Sequence, residues 1–534
     1  MSVKKQTFLK GVLIIMAAQI LIKLMGFMYR IVLTNFQGFS DLGNSYYGSG
    51  FSVYAFILAI ATMGIPSTIS KLVSEKLAIG DKTGAHKIFR IAMVLFTFIG
   101  IIFALILFFG STYISNNILS NPGVKYTLMA LSPAIIFVAM TAVIRGYFVG
   151  MQNMAEYSKA QILEQMVNSI FSIVFVVMLI GRTPEIMAAG STLATTLSTI
   201  VSFFYLMKYY NKNKKDIWNE IRTSQKFAVE SRTKIIKKLI SYVIPISFGS
   251  VIVTLSSLID TITVVDSLQK FQNTTLLEAN KIFGMLVGKV EILNALPLSV
   301  NVAFAVALVP FISAAMAKKN KDEAVSKIKF SLKLSGIIAL PSAIGLSLLA
   351  QPIYNLLFPN SNAGANLLQI QAFMVIFAVV AQTLYGALQG LGKLYIPGLC
   401  LVIGVAIKYT LNVTFIPIYG AIVAPISSVI YQFVACSFAF VLLFNYLKVK
   451  PNIYDLFIKT IFATLTMAAG IIVVFKILSI TSMSSNIVTL ITMFSAVVIY
   501  CISLVAFRVL KKEEILELPM GQKIYNFVSR FAKI

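Results

Sequence analysis

Residues 91–113, IAMVLFTFIGIIFALILFFGSTY, contain no charged side chain. A helix needs about 20 mostly apolar residues to cross the hydrocarbon of a bilayer, so this stretch, entered from Ile88, reads as a transmembrane span. The same composition extends outward from it. Of 534 residues, 58% are apolar and only 12% are charged, against about 25% charged in an ordinary soluble domain. Mean hydropathy is +0.87. Too little polar surface is left to cover a water-facing globule, which excludes a soluble enzyme or a disordered scaffold. The expected fold class is all-α, a polytopic membrane protein.

By the same criterion, spans are expected near 8–34, 46–70, 88–113, 124–151, 158–181, 186–209, 239–266, 282–316, 328–355, 365–391, 395–416, 420–447, 453–478 and 486–508, fourteen in all. The charges are lopsided, 45 Lys+Arg against 19 Asp+Glu, for a formal +26. Counted by alternate loops, nearly all basic residues fall on one side: Lys4, Lys5 and Lys10, the run from Lys71 to Arg90, the stretch from Lys208 to Lys238, Lys318 to Lys333, and the tail from Arg508. The opposite loops hold only Lys125, Arg182, Lys270 and Lys281. Positive loops stay inside, so both termini are expected in the cytoplasm, with a multi-pass, N-in/C-in topology. This bias accounts for most of the +26 without nucleic acid. Lys4 and Lys5 precede an apolar run too long for a signal peptide, so an uncleaved first span is expected. Cys400, Cys436 and Cys501 lie in apolar runs with no disulfide or zinc spacing.

An internal repeat organises the chain. Arg145-Gly-Tyr-Phe-Val-Gly150-Met-Gln-Asn-Met154 closes the fourth span and Tyr385-Gly-Ala-Leu-Gln-Gly390-Leu-Gly-Lys-Leu394 the tenth, with Gly146/Gly150 and Gly386/Gly390 at a shift of 240. Pro66 and Pro310 match at 244, Asp81 and Asp322 at 241, Ile88 and Ile328 at 240. Two six-helix lobes in one orientation follow, related about the membrane normal. The expected division is 1–210 for the first lobe, 211–234 for a basic cytoplasmic loop, 235–447 for the second lobe, 448–509 for spans 13 and 14, and 510–534 for an amphipathic tail. The loop, with Ile217, Trp218 and Ile221, and the tail, with Ile524, Phe527, Val528 and Phe531, suit helices lying on an anionic leaflet. A solvated loop and a frayed tail would fit equally.

Charged side chains inside spans are costly and call for a reason. In span one, Gln19, Lys23, Gly26 and Arg30 share one helix face. Span seven carries Ser247, Ser250, Thr254, Ser257 and Thr261 in a stripe beside Asp260. Two hydrophilic stripes imply a wet cavity, unless the hydroxyls bond their own helix carbonyls. Arg145 and Glu164 fall at similar depth on neighbouring antiparallel helices and are expected to pair; a structural ion pair is the plainer reading. Span eight holds Lys289, Glu291, Asn294, Pro297 and Asn301, with the facing of Lys289 left open by the proline. Lys408 and Lys476 have no other charge beside them in their spans, which leaves them either to snorkel or to pair. His86, the only histidine, sits in a basic loop and is expected to be solvated. No metal cluster, acid–base pair or nucleophile elbow stands out, and Gly390-Leu-Gly392-Lys393-Leu394 lacks the residues of a phosphate loop. Neither an enzyme nor an ATP motor is expected.

Several strings resemble a known family: Lys23-Leu-Met-Gly-Phe-Met-Tyr-Arg30 with Leu33-Thr-Asn35, Gly64-Ile-Pro-Ser-Thr-Ile-Ser-Lys-Leu-Val-Ser-Glu75, Arg145-Gly-Tyr-Phe through Met154 with Glu164-Gln165, Ala307-Leu-Val-Pro310, and Leu388-Gln-Gly-Leu-Gly-Lys393. Over the whole chain these resemble the polysaccharide-transport branch of the MOP exporter superfamily, the branch of the stage V sporulation protein B, YtgP-like and MurJ-type lipid II flippases. The resemblance implies two six-helix lobes, a central cationic cavity, and a lipid-tail groove shaped by spans 13 and 14. It implies export of an undecaprenyl-pyrophosphate-linked cell-wall precursor, lipid II above all, by alternating access. Its cavity cations fall on Lys23 and Arg30, spaced one residue wider than in the family, with Lys289 the candidate in span eight.

The expected substrate-binding residues are therefore Lys23, Arg30, Gln19, Lys289 and Arg145. With no nucleotide site, the drive is expected from membrane potential or from Na+ or H+ carried by Glu164, Asp260 or Glu291. No cofactor or metal is expected. The expected partners are a lipid-linked oligosaccharide and the anionic lipids of a bacterial cytoplasmic membrane, with the chain acting as a monomer. Two other functions compete: a MATE-like ion-coupled exporter of small molecules, disfavoured by cationic cavity residues, and a non-transporting scaffold for wall or spore-cortex synthesis.

Overall fold

A computed structural model describes residues 8–223, 227, 230–516 and 521–529. Every regular element among them is helical, and the chain forms two compact units, 1–288 and 289–534. The first contains α1 (Phe8–Asn35), α2 (Ser40–Ala61), α3 (Ile65–Ala78), α4 (Lys82–Tyr113), α5 (Val124–Gly150), α6 (Met154–Met178), α7 (Pro184–Arg222), α8 (Arg232–Gln269) and α9 (Leu276–Met285). The second contains α10 (Glu291–Ala317), α11 (Lys321–Leu348), α12 (Ala350–Leu357), α13 (Ala365–Gln371), α14 (Met374–Gly390), α15 (Ile396–Tyr419), α16 (Val423–Leu447), α17 (Lys459–Ser479), α18 (Ser485–Ala506), α19 (Lys512–Leu516) and α20 (Gly521–Val528). The division falls inside a π-helical turn, Leu286–Val290, so α8 and α9 pack with the first unit.

Helices α1, α4–α8, α11, α17 and α18 qualify by length and hydropathy as spans in whole or part, together with α2–α3, α9–α10 and α15–α16 as continuous stretches. That gives twelve, or thirteen when the bent pair α13–α14 is counted. The stretch Ile396–Leu447 consists of two helices, α15 and α16, folded back on each other through a short turn at Gly420–Ile422. A Cβ on Gly404 would lie 2.7 Å from the Tyr431 carbonyl oxygen, and Ser427 Oγ donates to Asn412 Oδ1 across the same hairpin. On α4, Val94, Phe98 and Phe109 are exposed. Leaving such side chains in water would cost about 25 cal/mol per Å², so lipid is the solvent this surface suits.

The repeat is visible as one helix crossing made twice. In the first unit α5 crosses α3, where a Cβ on Gly146 would come 2.8 Å from the Pro66 carbonyl oxygen and one on Gly150 2.9 Å from Val73 Cβ. In the second unit α14 crosses α10, with Gly386 facing the Ala305 carbonyl oxygen at 2.5 Å and Gly390 facing Ile312 Cβ at 2.8 Å. Small residues admit this closeness, as small-xxx-small pairs do between membrane helices. The contacted residues, Pro66/Ala305 and Val73/Ile312, repeat at 239. Two landmarks shift accordingly. Pro310 is not the counterpart of Pro66, and the counterpart of Asp81, which caps α4 by accepting from Gly84 N–H, is Asn320, which caps α11 by accepting from Glu323 N–H.

Of the two readings left open for 211–234, the helical one holds at its front, where α7 runs on to Arg222 with Ile217 buried. That extension covers His86, which is buried among Phe89, Tyr147, Tyr210 and Trp218 rather than solvated. Of the tail, Arg530 and Phe531 lie outside the described residues; α20 is a short helix over Gly521–Val528.

Candidate functional site

The first unit builds a polar interior from α1, α2, α5 and α6. Helix α6 presents Gln161, Glu164, Gln165 and Asn168 at i, i+3, i+4 and i+7, which places them on one face. Gln19 of α1 donates to Gln161 Oε1 at 3.0 Å, and Gly26 faces the Gln165 amide. Thr195 of α7 donates to Asn168 Oδ1 at 3.1 Å. The α1 stripe therefore does not stay together as one open surface. Gln19 is tied to α6, Lys23 is exposed, and Arg30 is 8% exposed.

Arg30 is held by an aromatic ring. Its guanidinium lies 4.2 Å from the centroid of Tyr47, whose hydroxyl is 3.1 Å from that of Tyr29. A cation over a ring face gains about 0.5–1 kcal/mol exposed and about 2 or more when desolvated. Arg30 Nη1 has no hydrogen-bond partner among the described residues. A buried donor left unmade costs about 1–3 kcal/mol, which an anion at that nitrogen would remove. The next turn is fixed from behind: Thr34 Oγ1 donates to the Arg30 carbonyl, and Asn44 Nδ2 donates to Thr34 Oγ1.

Arg145 of α5 and Glu164 of α6 do form an ion pair, and the same Arg145 Nη2 donates to Ser202 Oγ of α7 at 3.0 Å. Their side chains are 13% and 27% exposed, so the pair is only partly desolvated. In α8, Thr254 donates to the Val251 carbonyl and Thr261 to the Ser257 carbonyl, so both hydroxyls are satisfied within their own helix. Ser247 instead accepts the Gly64 N–H at 3.1 Å, docking α8 onto the start of α3. Asp260 is half-buried on α8.

In the second unit Lys289 is fully buried in the π-helical turn. It donates to Ser361 Oγ at 2.8 Å and the Ala363 carbonyl at 3.1 Å, with Tyr354 and Phe358 rings within 5.8 Å. The inserted π turn, rather than Pro297, sets its direction. Glu291 is half-buried. Asn301 anchors a buried network: its amide donates to the Val379 carbonyl and Thr383 Oγ1, and its oxygen accepts from Ser335.

The expected residues thus fall in two places. Gln19, Arg30, Arg145 and Glu164 line the interior of the first unit together with Tyr29, Tyr47, Asn168 and Ser202, none of which the charge pattern had singled out. Lys289 and Glu291 belong to the second. The α6 stripe was readable by its spacing; Tyr47 was not, since a tyrosine in a span carries no mark of its neighbour.

The sequence matches the family described as "Polysaccharide biosynthesis protein" over residues 8–316 and the family "MatE" over 291–414. It is 26% identical to stage V sporulation protein B of Bacillus subtilis (strain 168), covering 97% of this chain and 98% of that protein. It is 27% identical to the lipid II flippase MurJ of the same organism, over 80% of this chain and 82% of that one. Among solved structures it resembles the lipid II flippase MurJ in an inward closed conformation, with a TM-score of 0.65 at 16% identity, over 92% of this chain and 98% of that one.

Proposed function

Because the chain belongs to the polysaccharide biosynthesis protein family of the MOP exporter superfamily, we propose that it flips an undecaprenyl-pyrophosphate-linked cell-wall precursor, lipid II in the first instance, across the bacterial cytoplasmic membrane. It is a multi-pass membrane protein of a transporter family rather than an enzyme. The observation that carries the substrate reading is Arg30, a buried cation with an uncommitted Nη1 on the helix that also bears the exposed Lys23.

Bare pyrophosphate in hydrocarbon meets a Born cost of tens of kcal/mol. Lys23 receives the diphosphate first, and Arg30 takes it at the orphaned nitrogen while the isoprenoid stays in lipid. Gln19 holds α1 to α6, and Arg145 holds α5 to α6 and α7. Lys289, with its donors on Ser361 and Ala363, fixes a turn rather than the substrate. The lysine-rich end is cytoplasmic, both termini included, and the chain acts as a monomer. No cofactor takes part. Membrane potential, which supplies about 2.3 kcal/mol per charge per 100 mV, or a Na+ or H+ gradient through Glu164, Asp260 or Glu291, drives the cycle. Two cations facing the substrate count against a MATE-like exporter of small cations.

Depletion of a resident lipid II flippase in a bacterial host tests this. The wild-type chain should restore growth, and Lys23→Ala/Arg30→Ala should not, at equal membrane abundance. Restoration by the double variant would refute the cation assignment. Failure of the wild type, with accumulation of another lipid-linked glycan on its deletion, would move the substrate to that glycan.

A further inference from the structure

At the lysine-rich end of the first unit, three helices converge on one residue. Glu230, just ahead of α8, accepts from Lys76 of α3 at 2.9 Å and from Lys238 of α8 through both carboxylate oxygens at 3.1 and 3.0 Å. Its backbone carbonyl accepts from Lys87 of α4 at 2.6 Å. Asp81 also touches Lys76, at 3.1 Å, but its carboxylate caps α4 through Gly84 N–H and cannot leave without freeing that helix end. Glu230 has no such duty: it lies between helices and is 20% exposed. The lysines hold its carboxyl far below the ordinary range, at about 2.

Beside it opens a cavity of about 290 Å³, close to the small end of the range of ligand pockets, about 300–1,000 Å³. Its lining interleaves Lys76, Lys238, Glu230 and Glu75 with the aliphatic Leu72, Ile79, Ile88 and Ile235. A cationic pair flanked by aliphatic side chains fits an amphiphile whose head is an anion.

We propose that Lys76 and Lys238 form a binding site for a phosphate headgroup, and that Glu230 is its displaceable occupant. A phosphomonoester or diphosphate carries more charge than one carboxylate, about −1.5 to −2 against −1, so it wins the two ammonium groups on Coulomb terms. A singly charged phosphodiester lipid makes up the difference on the aliphatic side chains that flank the lysines. Displacement releases the Glu230 side chain, ahead of α8, while the headgroup takes over the bridge between Lys76 of α3 and Lys238 of α8. The site is separate from Lys23 and Arg30, and its occupation does not depend on transport.

The test uses the full-length chain in phosphatidylcholine nanodiscs, with acetylation rates of Lys76 and Lys238 read by mass spectrometry. Sodium pyrophosphate, or phosphatidylglycerol added to the nanodisc, should slow both rates saturably. Slowing by the lipid alone assigns a lipid headgroup; slowing by pyrophosphate as well assigns phosphate in general. Glu230→Gln, which removes the tethered competitor, should lower the half-effect concentration at least fivefold. Lys238→Ala, at a side chain 42% exposed, leaves Lys76 bridged and the fold intact, and should raise it at least tenfold as read at Lys76. No slowing by either probe, or a half-effect concentration unchanged in Glu230→Gln, overturns the proposal. Because the readout is occupancy, failure of lipid II transport would leave this result standing.

Discussion

Arg30 carries an aromatic ring over its guanidinium, and its Nη1 has no hydrogen-bond partner among the described residues; in the proposed function that nitrogen is the one the diphosphate takes. Tyr47→Leu should therefore cost flipping rate by up to tenfold, while Tyr47→Phe, which loses only the hydroxyl contact with Tyr29, should stay within twofold; initial rates in proteoliposomes decide. Arg145 makes the opposite case. Arg145→Ala strands Glu164, and since both are partly exposed the loss should be about 1–3 kcal/mol, below the 3–5 of a fully buried pair. Thermal unfolding in detergent should show Arg145→Ala/Glu164→Ala recovering part of that loss. Glu230 adds a pH signature. Its native pKa is depressed from 4.5 to about 2, so its contribution is complete above about pH 4.5 and disappears as pH falls toward 2. The stability gap between wild type and Glu230→Gln should close over that window. Charged members of these sites were legible because a charge in an apolar run stands out. Of their neutral partners only the α6 amides had a telling spacing, and His86 was misjudged because, although Ile217, Trp218 and Ile221 suited a helix, nothing in the sequence shows that it continues α7 and lays Tyr210 and Trp218 over the imidazole.

Helices in this chain are set by contacts that glycine permits. A Cβ on Gly146 or Gly386 would run into backbone of the crossing helix, so Gly146→Val and Gly386→Val should each lower the melting temperature sharply and reduce membrane yield. Gly345→Ala is the matching control: nothing lies within 4 Å of its Cβ site, and removing a helix-interior glycine should stabilise by about 0.5–1 kcal/mol. The C-terminal elements are fastened by charge instead. Lys333 of α11, its side chain 2% exposed, bonds both oxygens of Glu514 in α19 and lies 3.7 Å from Asp455 in the π-helical turn Tyr454–Ile458 just ahead of α17. Lys333→Ala should release α19, seen as faster hydrogen exchange over 512–516. The repeat itself was legible from Gly146/Gly150 and Gly386/Gly390, since close crossings demand small residues. Pro310 and Asp322 misled because proline and aspartate recur near helix ends for reasons unrelated to equivalence.

For the molecule as a whole, composition alone established an all-α membrane protein, and the loops carry its orientation as an expectation. Asn273→Cys, in the turn between α8 and α9 at the end away from the lysines, should react with an impermeant thiol reagent in intact cells; reaction only after permeabilisation would invert the topology. The account rests on one claim, that a diphosphate lipid crosses by way of Lys23 and Arg30. The most direct measurement is the flipping of fluorescent lipid II in proteoliposomes under an imposed potential, wild type against Lys23→Ala/Arg30→Ala. The account predicts potential-dependent flipping by the wild type and a loss of at least tenfold in the double variant. Equal rates for the two proteins, or no flipping by the wild type at any potential, would contradict it.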